Sequence, residues 1–245
     1  MILNKKYIFI TGSGKGIGES SVRVMIKNGG YVYALIRNKK DNNKFKNLKN
    51  IKIFNGDVSN IKLIEKIIKY SIKNKKPINC LVNNAGIRFR KEFVKIKKND
   101  LQKVLNINLI SIFLIIQIFS KFWIKNKIQG NLVNLASIVG QIGFNQLSAY
   151  ACSKGAIISL TKSVASELSN YGIRSNSVSP GFTKTSFYKK FKQKRKLYNW
   201  TLSRIPQKRW GESEEISNLI TFLISDQSKY INGENINIDG GWTSS

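Results

Sequence analysis

The sequence contains no histidine. That excludes a Ser-His-Asp triad and most zinc-site patterns, so any acid–base chemistry must use other groups. Cysteine is scarce too, and Cys80 and Cys152 show no paired spacing. They point to a reducing, cytoplasmic setting and to small buried hydrophobes rather than a disulfide or a metal site. Only three prolines occur among 42% hydrophobic residues, the composition of a compact fold and not of a disordered chain. Acids are few: 13 Asp and Glu stand against 42 Lys and Arg, leaving a net charge of +29.

Such a charge admits nucleic-acid or membrane binding. The basic residues are spread along the whole chain, however, beside an excess of Ile and Asn. Lys, Ile and Asn all have A+T-rich codons, so biased coding explains them together, with non-specific polyanion affinity as a by-product. No specific nucleic-acid partner is expected. The densest basic cluster is "YKKFKQKRK" at 188–196. No secretory signal is expected either, because "MILNKKYIFITGSG" runs directly into a strand and a glycine loop. The apolar run 104–120 falls short of the ~20 residues of a membrane span and carries Asn106, Asn108 and Gln117. A helix buried at a subunit interface is the expectation, with no membrane partner.

At 245 residues the chain can bury a sizeable core. Short β-rich apolar runs alternate with helical segments, which predicts a doubly wound α/β domain: about seven parallel strands with helices on both faces. Strands are expected near 6–11, 31–36, 51–55, 78–82, 130–136, 173–179 and 235–238. Helices are expected near 16–28, 60–74, 99–126, 149–170, 187–203 and 212–225. No linker or repeat interrupts this rhythm.

The stretch "TGSGKGIG" (11–18) follows the first strand and opens a helix. Glycine allows a tight turn and close approach to a pyrophosphate, and the helix N-terminus offers free N–H groups. Gly12, Gly14, Gly16 and Gly18 alternate, unlike the common GxGxxG, and Lys15 is followed by glycine rather than the Ser or Thr of a triphosphate loop. A turn without a ligand stays open. At the end of the second strand, where NAD-binding sheets place an acid, the chain has Ile36-Arg37, and the nearest acid is Asp41. Lys15 and Arg37 together suit a ribose 2′-phosphate and hence NADPH. Further on, "SAYACSKGAI" (148–157) sets Tyr150 and Lys154 on one helical face. A lysine beside a phenol lowers its pKa for acid–base work, although a surface or interface helix with an ordinary Tyr and Lys also fits.

Taken together, these motifs resemble the short-chain dehydrogenase/reductase family over nearly the whole chain. Gly12, Ser13, Gly14, Lys15, Gly16, Ile17 and Gly18 fall in its cofactor loop, and "GDV" supplies an adenine-contacting Asp57-Val58. "NNAG" supplies Asn84, Ala85 and Gly86; "NINL" supplies Asn108; "NLASIVG" supplies Ser137; and "YACSK" follows thirteen residues later. "SPGFTKT" places Pro180, Gly181 and Thr183 beside the nicotinamide, and "YINGENINIDGG" matches the usual last strand. The resemblance implies a single domain over 1–245, with a dinucleotide-binding half at about 1–135 and a catalytic and substrate part at about 136–245. It implies that Tyr150 donates a proton to a substrate carbonyl oxygen as NADPH delivers hydride. Lys154 would stabilise the phenolate and bind the nicotinamide ribose, Ser137 would hold the carbonyl oxygen, and Asn108 would position a water leading from Lys154 to solvent. Small Ala149, Ala151 and Ser153 would leave room for cofactor and a partner helix. A dimer, commonly within a homotetramer, is implied.

For the substrate, length and motifs look most like bacterial 3-oxoacyl-(acyl-carrier-protein) reductases, whose acidic carrier would suit a basic surface. "RIPQKRWGESEEI" and the ending "DGGWTSS" look as much like sugar or polyol dehydrogenases of the gluconate 5-dehydrogenase type. The lid segment 186–203 carries Phe187, Tyr188, Phe191, Tyr198 and Trp200, which either line an acyl channel or cover the core. A catalytically idle member that binds NADPH or RNA is the alternative class; the intact Ser137, Tyr150, Lys154 and Asn108 speak against it.

Overall fold

Alternation along the strands decides the layers of this protein. In the computed structural model, which describes residues 1–186 and 188–244, β1 (Tyr7–Thr11) turns Ile8 and Ile10 to one face and Phe9 to the other. The next strand, β2 (Tyr31–Ile36), likewise sends Val32, Ala34 and Ile36 one way and Tyr33 and Leu35 the other. Strands apolar on both faces must be covered on both, which is the parallel α/β solution. The remaining sheet strands are β3 (Ile51–Asn55), β4 (Cys80–Asn83), β5 (Asn131–Leu135), β6 (Arg174–Pro180) and, at the chain's end, a strand over Asn235–Ile238.

All seven pair in parallel in the order β3-β2-β1-β4-β5-β6 followed by the Asn235–Ile238 strand. The order reverses between β1 and β4, so a crevice opens beyond their carboxyl ends. Helices α1 (Gly16–Lys27) and, late in the chain, Ser213–Ile224 cover one face through Val22, Met25, Ile216, Ile220 and Leu223. On the other face lie α2 (Ile61–Lys73), α3 (Lys98–Leu105), α4 (Ser111–Lys125) and α5 (Ser148–Leu168). Their Ile64, Ile67, Ile112, Ile115, Phe119, Trp123 and Ile157 pack on Phe9, Leu81 and Leu132. A buried polar ladder ties α5 to the sheet: Asn83 Nδ2 donates to Asn134 Oδ1 at 2.8 Å, and Asn134 Nδ2 donates to Thr161 Oγ1 at 3.0 Å.

Every expected strand is present to within two residues, and the fold class is as read from the sequence. Two helices differ. The expected 99–126 helix is interrupted by a π turn, Asn106–Ile110, where Ser111 Oγ donates to the Asn106 carbonyl at 2.7 Å. The expected 187–203 helix is two pieces, α6 (Tyr188–Lys192) and α7 (Arg195–Arg204). A short parallel pair, β7 (Thr183–Lys184) with β8 (Gly211–Glu212), anchors that region before α8 (Ser213–Ile224) and β9 (Asn235–Ile238). Cys80 is buried as expected, but Cys152 is exposed, because its position on α5 faces away from the sheet. The run Lys98–Lys125 is long and apolar enough to cross a membrane by length and composition alone, although half of α4 packs into the core.

Around Trp210 a third cluster forms a cap. Phe191, Phe182 and Tyr188 ring centroids lie 4.9, 5.0 and 5.2 Å from it, and its Nε1 donates to Thr201 Oγ1 at 2.8 Å. Phe187 lies outside the described residues.

Candidate active site

A cleft of about 760 Å³ occupies the crevice at the carboxyl ends of β1 and β4. Its first wall is the glycine loop. Gly12 has φ +67°, and a Cβ there would sit 2.8 Å from the Ala85 Cα, so only glycine lets the loop close against the end of β4. Thr11 Oγ1 accepts from the backbone N–H of Asn84 and Ala85 at 3.1 and 3.0 Å, and Asn84 Nδ2 donates to the Thr11 and Gly12 carbonyls. The two motifs, 72 residues apart, are one hydrogen-bonded unit.

Gly12, Gly14, Lys15, Gly16, Ile17, Arg37, Asp57, Val58, Asn84, Ala85 and Gly86 all line the cleft, as do Pro180, Gly181 and Thr183 at its far end. Ser13 and Gly18 do not. Ser13 is fully buried, its N–H donating to the Leu35 carbonyl and its hydroxyl to the Ile10 carbonyl, so it shapes the loop from inside. Gly18 supports the loop from beneath, where a Cβ would meet the Gly12 oxygen at 2.3 Å. Lys44, absent from the sequence reading, fastens the loop by donating to the Gly14 carbonyl at 2.7 Å, and it bridges to Glu19 and Asp41. Asp57 accepts from the Ser59 N–H and hydroxyl; these bonds, helped by Arg37, hold its carboxyl below the usual range.

At the other end the extended Ser137 follows β5, and Tyr150 and Lys154 project from α5. Ser137 and Tyr150 line this end of the cleft together, near enough for the Ser137 hydroxyl to act on the phenol. Burial pushes the phenol up from its ordinary pKa, while Ser137 and the nearby Arg88 charge pull the other way. The net shift is upward, because burial outweighs the lowering expected from a neighbouring cation such as Lys154. Its Nζ lies 5.8 Å from the Tyr150 ring centroid and donates to the Leu135 carbonyl. Burial brings the Lys154 ammonium down to about 8. Asn108, buried in the π turn, accepts from the Ile87 N–H at 2.8 Å and donates to the Ile87 carbonyl and to Ser153 Oγ at 2.9 and 3.1 Å. It faces Gly86, close to Lys154, without lining the cleft itself.

Among the lining residues that sequence reasoning missed are Arg88, Phe144, Leu147, Phe182, Thr185 and Trp210. Arg88 was within reach, two residues beyond "NNAG". Phe182 and Thr185 were within reach too, inside "SPGFTKT", whereas Phe144, Leu147 and Trp210 come from two other loops and carry no local signature. Of the described lid aromatics, Tyr188 and Tyr198 pack on Trp210, and Phe191 and Trp200 reach a second cavity beside the cleft. They mostly cover the core.

The residues fit a dinucleotide: a loop that excludes side chains, cations near one end and a proton-bearing pair at the other. A family profile described as Enoyl-(Acyl carrier protein) reductase matches residues 12–243. A 3-oxoacyl-[acyl-carrier-protein] reductase of Thermotoga maritima is 35% identical over 98% of this chain and 99% of its own length. A 2-dehydro-3-deoxy-D-gluconate 5-dehydrogenase of Bacillus subtilis is 38% identical over 68% of this chain and 65% of its own. The solved structure of ElxO with NADP bound superposes with a TM-score of 0.91 at 30% identity, covering 98% of this chain and 99% of that one. The chain is an oxidoreductase that uses a nicotinamide dinucleotide, and it belongs to the short-chain dehydrogenase/reductase family.

Proposed function

We propose that this protein reduces a ketone to a secondary alcohol with NADPH, and that Ser137, Tyr150 and Lys154 are its catalytic groups with Asn108 behind them. The observation that carries this reading is the meeting of Ser137, Tyr150 and Lys154 at one end of a cleft whose other end is the glycine loop. The Gly12–Gly16 loop, Lys15, Arg37, Asp57 and Asn84 would hold the dinucleotide. When bound, NADPH supplies the hydride equivalent that becomes the new C–H bond. Ser137 and the Tyr150 hydroxyl bind the carbonyl oxygen, and Tyr150 gives it the proton that makes the alcohol. Burial keeps the phenol protonated before the reaction, and Lys154, still mostly charged at pH 7, stabilises the phenolate once the proton has left. Asn108 is held too firmly by Ile87 and Ser153 to reorient; it positions solvent near Lys154 rather than touching substrate.

Arg37 lines the cleft at the end of β2 and supports NADPH over NADH. A charge-assisted bond contributes ~1.5–3 kcal/mol, which gives roughly a 10- to 150-fold preference. Two substrate classes stand behind this reaction. A 3-oxoacyl thioester is supported by the Thermotoga relative, and a keto acid of the gluconate kind by the Bacillus relative. We place the protein in the cytoplasm as a homotetramer. The outward side of α4 and its approach, with Ile110, Phe113, Leu114 and Ile124, is apolar and exposed in one chain, which supports an assembly that covers it.

The test is NADPH oxidation with acetoacetyl thioesters and keto sugar acids, wild type against Tyr150→Phe. Loss of the proton donor lowers turnover by at least ~10²-fold while NADPH still binds. Turnover that survives in the purified variant sinks the assignment.

A further inference from the structure

The charges lining the main cleft are unevenly placed. Its acids, Asp41 and Asp57, lie at the glycine-loop end and are engaged with Lys44 and Ser59. At the Tyr150 end the charged groups among the described lining residues are Lys154, which the mechanism uses, and Arg88. Arg88 also lines the second cavity, of about 220 Å³, together with Arg90. No acid lines that recess among the described residues, and its other walls are mainly apolar, including Phe144, Leu147, Phe182 and Trp200. Four residues, Arg88, Phe144, Leu147 and Phe182, border both spaces, so the recess continues the substrate end of the cleft.

Arg90 is held in place. Arg90 Nε donates to Gln146 Oε1 at 2.8 Å, and the Lys91 N–H donates to the Gln146 carbonyl at 2.9 Å. Gln146 itself takes a φ of +64°, a left-handed conformation that side-chain-bearing residues adopt at a cost. The segment after Gly86 is thereby strapped to the loop that leads into α5. Arg88 and Arg90 both line this recess, and the Arg90 charge acts against that of Arg88; a carboxylate beside them would offset that repulsion, and it matches the planar fork of a guanidinium.

We infer that the substrate carries a carboxylate, bound by Arg88 and Arg90 in this recess, a short chain away from the carbonyl that meets Ser137 and Tyr150. The inference rests on the reductase reading and selects the keto acid over the carrier-bound thioester. Arg88 and Arg90 are then the residues that set specificity.

The experiment compares acetoacetate, 4-oxopentanoate and 5-oxohexanoate with their amides, reading kcat and KM with NADPH. In parallel, the dissociation constants of 4-oxopentanoate and its amide are read from the tryptophan fluorescence of the NADP⁺-loaded protein, since Trp200 lines the recess and Trp210 the cleft. The acid of best-fitting length is expected to exceed its amide at least tenfold in kcat/KM and in affinity. Arg88→Gln and Arg90→Gln should each raise KM for the acid by 10- to 100-fold, and by much less for the amide, with partial recovery in Arg88→Lys. Acid and amide performing alike in the wild type overturns the inference. So does an equal loss for both in Arg88→Gln, which would leave Arg88 acting only on Tyr150. If nothing in the panel or among the thioesters turns over, the reductase reading falls, and the fluorescence titration still decides the recess: equal affinities refute it.

Discussion

Lys154 is the one formally charged side chain buried among the described residues, and its charge costs the fold free energy. Its pKa is about 8 in the folded protein and 10.5 when solvated. Below pH 8 the lysine is charged in both states, and the full burial cost is present, about 3 kcal/mol. Between pH 8 and 10.5 the unfolded chain binds more protons than the folded one, so this contribution to stability rises with pH. Lys154→Met removes the titration. At pH 7 the cofactor-free variant is expected to unfold at a higher temperature than wild type, less whatever the lost bond to the Leu135 carbonyl contributed. The gap should shrink as the pH approaches 10. A gap that thermal unfolding shows to be independent of pH would mean that water reaches the ammonium. Residue types alone revealed the Tyr150–Lys154 partnership, because i and i+4 share a helix face. They could not reveal that the ammonium points at a carbonyl, nor that Arg88 arrives beside the phenol from another loop.

Among the elements, the seating of α5 sets where Tyr150 and Lys154 stand. Its first turns rest against the single turn Ile138–Gly140, where a Cβ on Gly140 would lie 2.7 Å from the Lys154 carbonyl carbon and 2.8 Å from the Gly155 nitrogen. Both contacts are backbone and cannot rotate away. Gly140→Ala therefore has to push the helix outward by several tenths of an ångström, carrying Tyr150 and Lys154 with it. We expect a loss of roughly 10²-fold in kcat/KM, the usual consequence of a small misplacement, against about 1–3 kcal/mol of stability. NADPH oxidation beside a thermal melt checks it, and wild-type turnover would show that the contact relaxes elsewhere. Strands were readable here because two-sided apolar runs such as "YVYALI" are short and bounded by turn residues. The π turn was not. Apolar side chains continue through 104–120, and one extra residue per turn leaves no mark in such a run, although it is what turns Asn108 inward. The break between α6 and α7 falls within "KQKR", where every residue is polar and no periodicity exists to be interrupted.

For the whole molecule, two properties oppose each other. The exposed side of α4 favours association of copies, and a net charge of +29 on each chain resists it. Charge repulsion between subunits is screened within about 8–10 Å at physiological salt, so assembly should tighten as salt is raised. Light scattering at micromolar concentration is expected to give a multiple of 27.8 kDa that persists at lower protein concentration in higher salt. A mass of 27.8 kDa under all conditions would remove the assembly from the reading. The outward Cys152 then acquires a use. It lies on α5, two residues from Tyr150, and is open to solvent in the single chain. In an oligomer that covers this helix, a maleimide reaches the thiol only when subunits separate, so the pace of its modification becomes a clock for their exchange.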